Sequence, residues 1–135
     1  MALRYLLDTN ICIYIREKKP PTVLAHFDRL GVGDMGMSVI TYGELAYGAF
    51  KKNNPDHAMD DLKRLAAFIP VLPVPAEAGD IYGSIRAVLA GKGSTIGPND
   101  TWIAAHALAS DLILVTNNER EFKRVKDLKV ENCAK

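Results

Sequence analysis

The stretch Leu3-Arg4-Tyr5-Leu6-Leu7-Asp8-Thr9-Asn10 decides the fold. Leu3 to Leu7 has the length and apolar bias of a buried strand, and it stops abruptly on a carboxylate. The polar triplet Asp8-Thr9-Asn10 then reads as the turn into a helix running from Asn10 to about Lys18. In open parallel sheets ligands sit beyond the carboxyl ends of the strands, so a side chain at that junction points into a site. Asp8 or Thr9 can equally serve as the cap of the next helix, accepting a backbone N–H. Taken alone, capping is the simpler reading.

The same strand-then-helix unit recurs along the chain. After the first helix, Pro20-Pro21 forces a break, and a second helix is expected from about Thr22 to Leu30, closing at Gly31-Val32-Gly33. Met35 to Val39 reads as a strand. Thr41 to Lys52 follows as a helix with the apolar stripe Leu45, Ala46, Ala49 and Phe50. Pro55 opens another helix to about Phe68, with Leu62, Leu65, Ala66 and Ile69 facing inward. Val71 to Val74 is hemmed by Pro70, Pro73 and Pro75, so it fits only a short or edge strand. An amphipathic helix is expected from Ala76 to Gly91 through Ile81, Ile85, Val88 and Leu89, closed by Gly91-Lys92-Gly93. A polar turn, Ser94 to Asp100, leads into an apolar helix, Trp102 to Ala109. Leu112 to Val115 is the clearest strand and ends on Thr116-Asn117-Asn118. A helix from Glu119 to about Val125 and a strand near Leu128 to Val130 complete the series. Strands alternating with helices imply an α/β fold, a parallel sheet with helices on both faces.

The 135 residues are expected to form a single domain and to bury roughly two-thirds of the surface exposed by the unfolded chain. With 48% hydrophobic and 24% charged residues, the composition is that of a globular protein rather than a disordered one. Cys12 and Cys133 are the two cysteines, without metal-ligand spacing, and suit a reducing compartment. Asp8 interrupts the first apolar run too early for a secretory leader, and no stretch approaches the ~20 apolar residues of a membrane span. A cytoplasmic protein is expected. The net charge of +1 argues against the broad basic field of nonspecific DNA binders. Local clusters remain: Arg16-Lys18-Lys19, Lys51-Lys52, Lys63-Arg64 and Arg120-Lys123-Arg124. Each can contact phosphates or simply solvate a helix face.

Three more polar positions stand at junctions comparable to that of Asp8: Glu44, Asp100 and Asn118. Each has a capping explanation. Thr41-Tyr42-Gly43-Glu44, Thr116-Asn117-Asn118-Glu119 and Asn118-Glu119-Arg120-Glu121 all spell a capping box, and Asp100 would be the third residue of a helix begun by Pro98. The joint pattern says more, because acids at the C-terminal ends of neighbouring parallel strands gather in one crevice. Two carboxylates about 4 Å apart repel by roughly 4 kcal/mol at an effective dielectric of ~20, so such a cluster needs protons or a cation. Oxygen ligands without histidine or thiolate suit Mg²⁺ or Mn²⁺ rather than zinc, and those ions serve phosphoryl chemistry.

At this point the residues resemble a known family. Leu6-Leu7-Asp8-Thr9-Asn10, Thr41-Tyr42-Gly43-Glu44-Leu45, the run Ile96-Gly97-Pro98-Asn99-Asp100-Thr101-Trp102 that continues to Leu108, and Leu114-Val115-Thr116-Asn117-Asn118-Glu119-Arg120-Glu121-Phe122 together look like the PIN domain, specifically VapC toxins. The likeness runs from Leu3 to Asn132, and the four motifs are specific only in combination. It implies a three-layer α/β/α fold around a parallel sheet of four to five strands. It also implies a metal-dependent endoribonuclease, the toxin half of a toxin–antitoxin pair, neutralised by a VapB antitoxin and homodimeric. Asp8, Glu44 and Asp100 match the family's acids, with Asp8 and Asp100 on the first metal and Glu44 binding a second or orienting the water. The fourth acid is open: many PIN domains have aspartate where this chain has Asn118, so either Asn118 ligates neutrally or Glu121 supplies the charge. Thr116 is expected to orient a carboxylate or a metal water. The implied substrate is RNA, with the anticodon region of initiator tRNA a candidate.

Other residues fit less well. His106 lies about 240° around the helix from Asp100 and belongs to a different face. Trp102 and Tyr14 can stack on bases, but core packing is the commoner use. Arg16, Lys92 and Arg120 lie nearest the motifs and are the expected phosphate contacts. A receiver-like phosphoaspartate at Asp8 would require a lysine at the end of a later strand, where Thr116-Asn117-Asn118 stands instead. A module that binds RNA or protein without cutting it is the stronger rival.

Overall fold

The computed structural model describes residues 3–17, 31 and 33–132. The chain runs β1 (Tyr5–Leu7), α1 (Thr9–Glu17), β2 (Met35–Ser38), α2 (Val39–Phe50), α3 (Pro55–Phe68), β3 (Val71–Leu72), α4 (Ala78–Gly91), α5 (Pro98–Ala109), β4 (Ile113–Val115), α6 (Glu119–Phe122) and β5 (Val130–Glu131). The helix expected from Thr22 to Leu30, the Pro20-Pro21 break, Lys18 and Lys19 of the first basic cluster, and Cys133 lie outside the described residues.

All five strands are parallel, in the order β3-β2-β1-β4-β5. β1 is central: the chain builds outward from it through β2 and β3, then crosses back to add β4 and β5 on its other side. The reversal leaves a crevice beyond the C-terminal ends of β1 and β4, where Asp8 and Thr116 follow the last strand residues.

Successive strand side chains point to opposite faces, which divides the core in two. Leu6 and its partner Leu114 face α4 and α5, among Ile85, Leu89, Ile103 and Ala104. Leu7 and its partner Val115 face α1, α2 and α3, among Ile11, Leu45, Leu62 and Leu65. The result is the expected three-layer α/β/α arrangement. Gly36 lets the edge strand β3 sit close, since a Cβ there would stand 2.9 Å from a Leu72 methyl and 3.2 Å from the Pro70 carbonyl oxygen. The Gly91-Lys92-Gly93 stop is a Schellman closure: Gly93 has φ +67°, its N–H donates to Ala90, and the Ser94 N–H donates to Leu89.

Several boundaries differ from expectation. α2 begins at Val39 directly off β2, because the Ser38 hydroxyl accepts the Ile40 N–H and caps it. The Thr41–Glu44 capping box is therefore only textual, and Thr41 is buried inside the helix. Phe50 is 63% exposed, because it stands one residue beyond the Leu45–Ala49 stripe and so rotates outward. Val88, expected inward, is half exposed. α5 begins at Pro98, which places Asp100 at its third position as expected. α6 stops at Phe122, although Val125 is still buried.

Candidate metal centre

Asp8 is 4% exposed and fully engaged. Its Oδ1 accepts the Ile11 N–H at 2.9 Å, which is the cap of α1. Its Oδ2 accepts a hydrogen bond from the Thr116 hydroxyl at the end of β4. The Thr116 oxygen in turn accepts the Asn118 N–H at 2.9 Å, so the turn after β4 fixes the hydroxyl that fixes the carboxylate. Capping and site placement are two uses of one side chain.

Glu44 reaches the same crevice from α2. Its Oε1 accepts from the Thr9 hydroxyl at 2.6 Å, and the Thr9 and buried Thr41 hydroxyl oxygens are 3.3 Å apart. Thr9 follows Asp8 directly, so the first two residues after β1 hold one acid and contact another. Asp100 lies in the first turn of α5, whose N-cap is Gly97 and offers no side-chain cap, leaving a positive helix end beside a carboxylate. Glu121 is joined to the site through Asn118, whose Nδ2 donates to Glu121 Oε2 at 2.8 Å. Asn118 and Glu121, alternatives in the sequence, form a bonded pair.

Two of the acids, Asp8 and Asp100, are perturbed by their surroundings. Burial pushes the Asp8 carboxyl up to about 6; the Thr116 and Ile11 hydrogen bonds oppose this, while the charges of Asp100 and Glu44 add to it. Burial also raises Asp100, reinforced by Glu121 and Glu44. Among the described residues none of these acids forms an ion pair within 4 Å. The donor chemistry therefore fits a hard divalent cation: oxygen ligands, like charges held together, and no basic side chain neutralising them. As placed, no three of the described acids, histidines or cysteines stand close enough to enclose an ion. The acids share a neighbourhood without closing on one point.

The remaining expected residues divide. Arg16 lines a cleft with Thr9 and Glu44. Lys92 lines a different cleft of about 390 Å³ between α4, Leu108 and residues 124–127, with none of the four acids in its walls. Arg120 is exposed on α6 beside Glu121. His106 is buried and its Nδ1 lies 2.9 Å from Ser38 Oγ, which ties α5 to the start of α2. Trp102 stacks on Tyr82 with ring centroids 4.0 Å apart, and the Tyr14 hydroxyl accepts from Asn117 Nδ2. Burial pushes the Cys12 thiol up, making it inert. Sequence reasoning missed the Thr9–Glu44 contact; the signal available was a hydroxyl immediately after a site carboxylate, which a helix start explains equally well.

Residues 5–128 match the PIN domain family model. The chain is 43% identical to the tRNA(fMet)-specific endonuclease VapC of Shigella flexneri over 130 residues, 96% of this chain and 98% of that protein. It also superposes on VapBC-1 from nontypeable Haemophilus influenzae, with a TM-score of 0.90, 36% identity and coverage of 98% and 100%. VapBC2 from Rickettsia felis, solved bound to a DNA fragment from its promoter, gives a TM-score of 0.88 at 35% identity, covering 96% and 98%.

Proposed function

Because the chain belongs to the PIN-domain family, we propose that it is a VapC-type endoribonuclease toxin that hydrolyses RNA phosphodiesters with a bound Mg²⁺ or Mn²⁺. The observation that carries this reading is Asp8: a buried carboxylate at the sheet's switch point, oriented by Thr116, with Asp100 and Glu44 in electrostatic reach and no described basic partner.

Asp8 and Asp100 would hold the ion, with Glu121 adding charge beside Asp100. A divalent cation supplies there the Lewis acidity that activates water and offsets charge on the phosphoryl group. Thr9 occupies Glu44 Oε1, which leaves Oε2 as the acceptor that orients the attacking water or binds a second ion. Asn118 positions Glu121, and Thr116 keeps Asp8 aimed. Hydrolysis of this kind leaves a 5′-phosphate and a 3′-hydroxyl and needs no ribose 2′-hydroxyl as nucleophile. Substrate choice then falls to shape and loop contacts.

The Shigella flexneri relative is named for tRNA(fMet), and initiator tRNA is the substrate proposed here. A VapB-type antitoxin is the proposed partner, a homodimer the proposed toxin assembly and the cytoplasm its site of action. No described helix is long and apolar enough to cross a membrane.

The test is to incubate the purified chain with initiator tRNA and with total RNA, with and without EDTA, and to map the new ends beside Asp8→Ala. Specific 5′-phosphate ends that vanish with EDTA and with Asp8→Ala are expected. Cleavage indifferent to both, or RNA binding without any cleavage, would overturn the reading in favour of a contaminating or non-catalytic activity.

A further inference from the structure

We propose that the groove between α1 and the C-terminal end of α2, continuing to the first turn of α3, is a track for the backbone of single-stranded RNA beside the scissile bond. Arg16, Lys51 and Lys52 are its phosphate-binding side chains. The proposal rests on the ribonuclease reading and extends it to a binding surface outside the acids.

Two clefts of about 340 and 530 Å³ make up the groove. The first opens at Thr9 and Glu44 and runs past Gly48 to Lys51. The second continues past Asn53 and Asn54 to His57. Arg16 and Lys52 line both, so the clefts adjoin and one end lies at Glu44, whose partner Thr9 is next in the chain to Asp8. Lys51 follows Glu44 by about two helical turns, roughly 10 Å. At that distance its ammonium is too remote to quench Glu44 and suits a flanking phosphate rather than the one being cut.

The charges are available. Lys123 pairs with Glu119, Lys129 with Asp111 and Arg64 with Asp61, whereas among the described residues Arg16, Lys51 and Lys52 form no ion pair within 4 Å. The Lys51 ammonium rests 4.5 Å from the centroid of the Tyr47 ring, which holds it without neutralising it. Two acids share the second cleft, Glu17 and Asp61; Asp61 is bound by Arg64, faces His57 at 3.5 Å and also feels the charge of Arg16, with which it forms no ion pair. The far end is the start of α3, whose dipole favours an anion. Cations at the ends of α1 and α2 also complement those helix dipoles, but that preference does not explain why both ends share one groove with the acids. Three cations without a described ion pair thus line a groove that opens at Glu44.

The experiment uses the full chain carrying Asp8→Asn, so that RNA is not consumed, and a fluorescein-labelled oligouridine titrated by anisotropy over a series of salt concentrations. Arg16→Gln with Lys52→Gln should weaken binding by about tenfold and lower the slope of log Kd against log salt by ~0.7 for each phosphate that is no longer neutralised. Lys123→Gln with Lys129→Gln should change neither. In chains with Asp8 restored, the Mn²⁺-induced rise in Tm should survive the groove substitutions, showing an intact acid site. Unchanged affinity and slope in the groove variant would overturn the proposal while leaving RNA cleavage by the unsubstituted chain standing. Loss of binding in a chain that never cleaves RNA would support the groove and remove the ribonuclease reading. Tighter binding of polyglutamate than of oligouridine would overturn the RNA assignment in favour of an acidic protein segment.

Discussion

The Thr9 hydroxyl donates to Glu44 Oε1 at 2.6 Å, although the two residues belong to different helices and lie 35 positions apart. The bond ties the Glu44 carboxylate to the residue that follows Asp8.

Removing it should misplace the acid without removing it. Thr9→Val is expected to lower RNA cleavage and Mn²⁺ affinity by about 10–100-fold, the usual effect of losing a ligand's supporting hydrogen bond. Thr9→Ser should restore both. Parallel kinetics and Mn²⁺ titration of the three proteins check this; equal loss in the valine and serine variants would point to packing instead.

The raised pKa of Asp8 makes stability depend on pH. The carboxyl moves from 3.8 to about 6 on folding, so between those values the folded chain binds more protons than the unfolded one. Its contribution therefore falls as pH rises through that window, by about 3 kcal/mol in total, and is fully lost above pH ~6. In the absence of divalent ions, the stability difference between wild type and Asp8→Asn should shift toward the variant by that order between pH 4 and pH 7. Urea denaturation at each pH measures it, and a difference that stays flat would show that Asp8 is not held ionised at a cost.

Asp100 offers a contrast between cap and ligand. A helix cap replaced by alanine costs ~0.5–2 kcal/mol whether or not metal is present. Asp100 is instead raised by burial and by Glu121 and Glu44, so Asp100→Ala should be neutral or stabilising in EDTA and should abolish the rise in Tm with Mn²⁺. Thermal melts with and without Mn²⁺ decide between the two.

Asn118→Asp tests the odd member of the set. Asn118 Nδ2 donates to Glu121 Oε2 at 2.8 Å, and a second carboxylate there turns attraction into repulsion on the order of 1–4 kcal/mol for charges about 4 Å apart. The variant should be less stable than wild type in EDTA and should gain more from Mn²⁺. Equal melting in EDTA would mean that the pair separates freely.

Much of this was legible in the chain. The abrupt end of an apolar run on Asp8 located β1 and its switch-point carboxylate, and Pro55 and Pro98 marked two helix starts, because these signals are local. Pro70 and Pro73 confined β3 to the edge for the same reason. What failed was also local in form: Thr41 and Glu44 spell a capping box, but the Ser38 hydroxyl, buried at the end of β2, had already started the helix. Contacts between elements were barely signalled: Thr9 with Glu44 and His106 with Ser38 depend on which helices the topology brings side by side. Asn118 with Glu121 has the local spacing of a capping box, but the side chains bond to each other instead of to the backbone.

The bond from Thr116 to Asp8 closes a span of 108 residues, and β1 has β4 as one of its two neighbours in the sheet. During synthesis Asp8 leaves the ribosome long before its orienting hydroxyl has been made. An acid centre so divided stays incomplete on the nascent chain until β4 has been made.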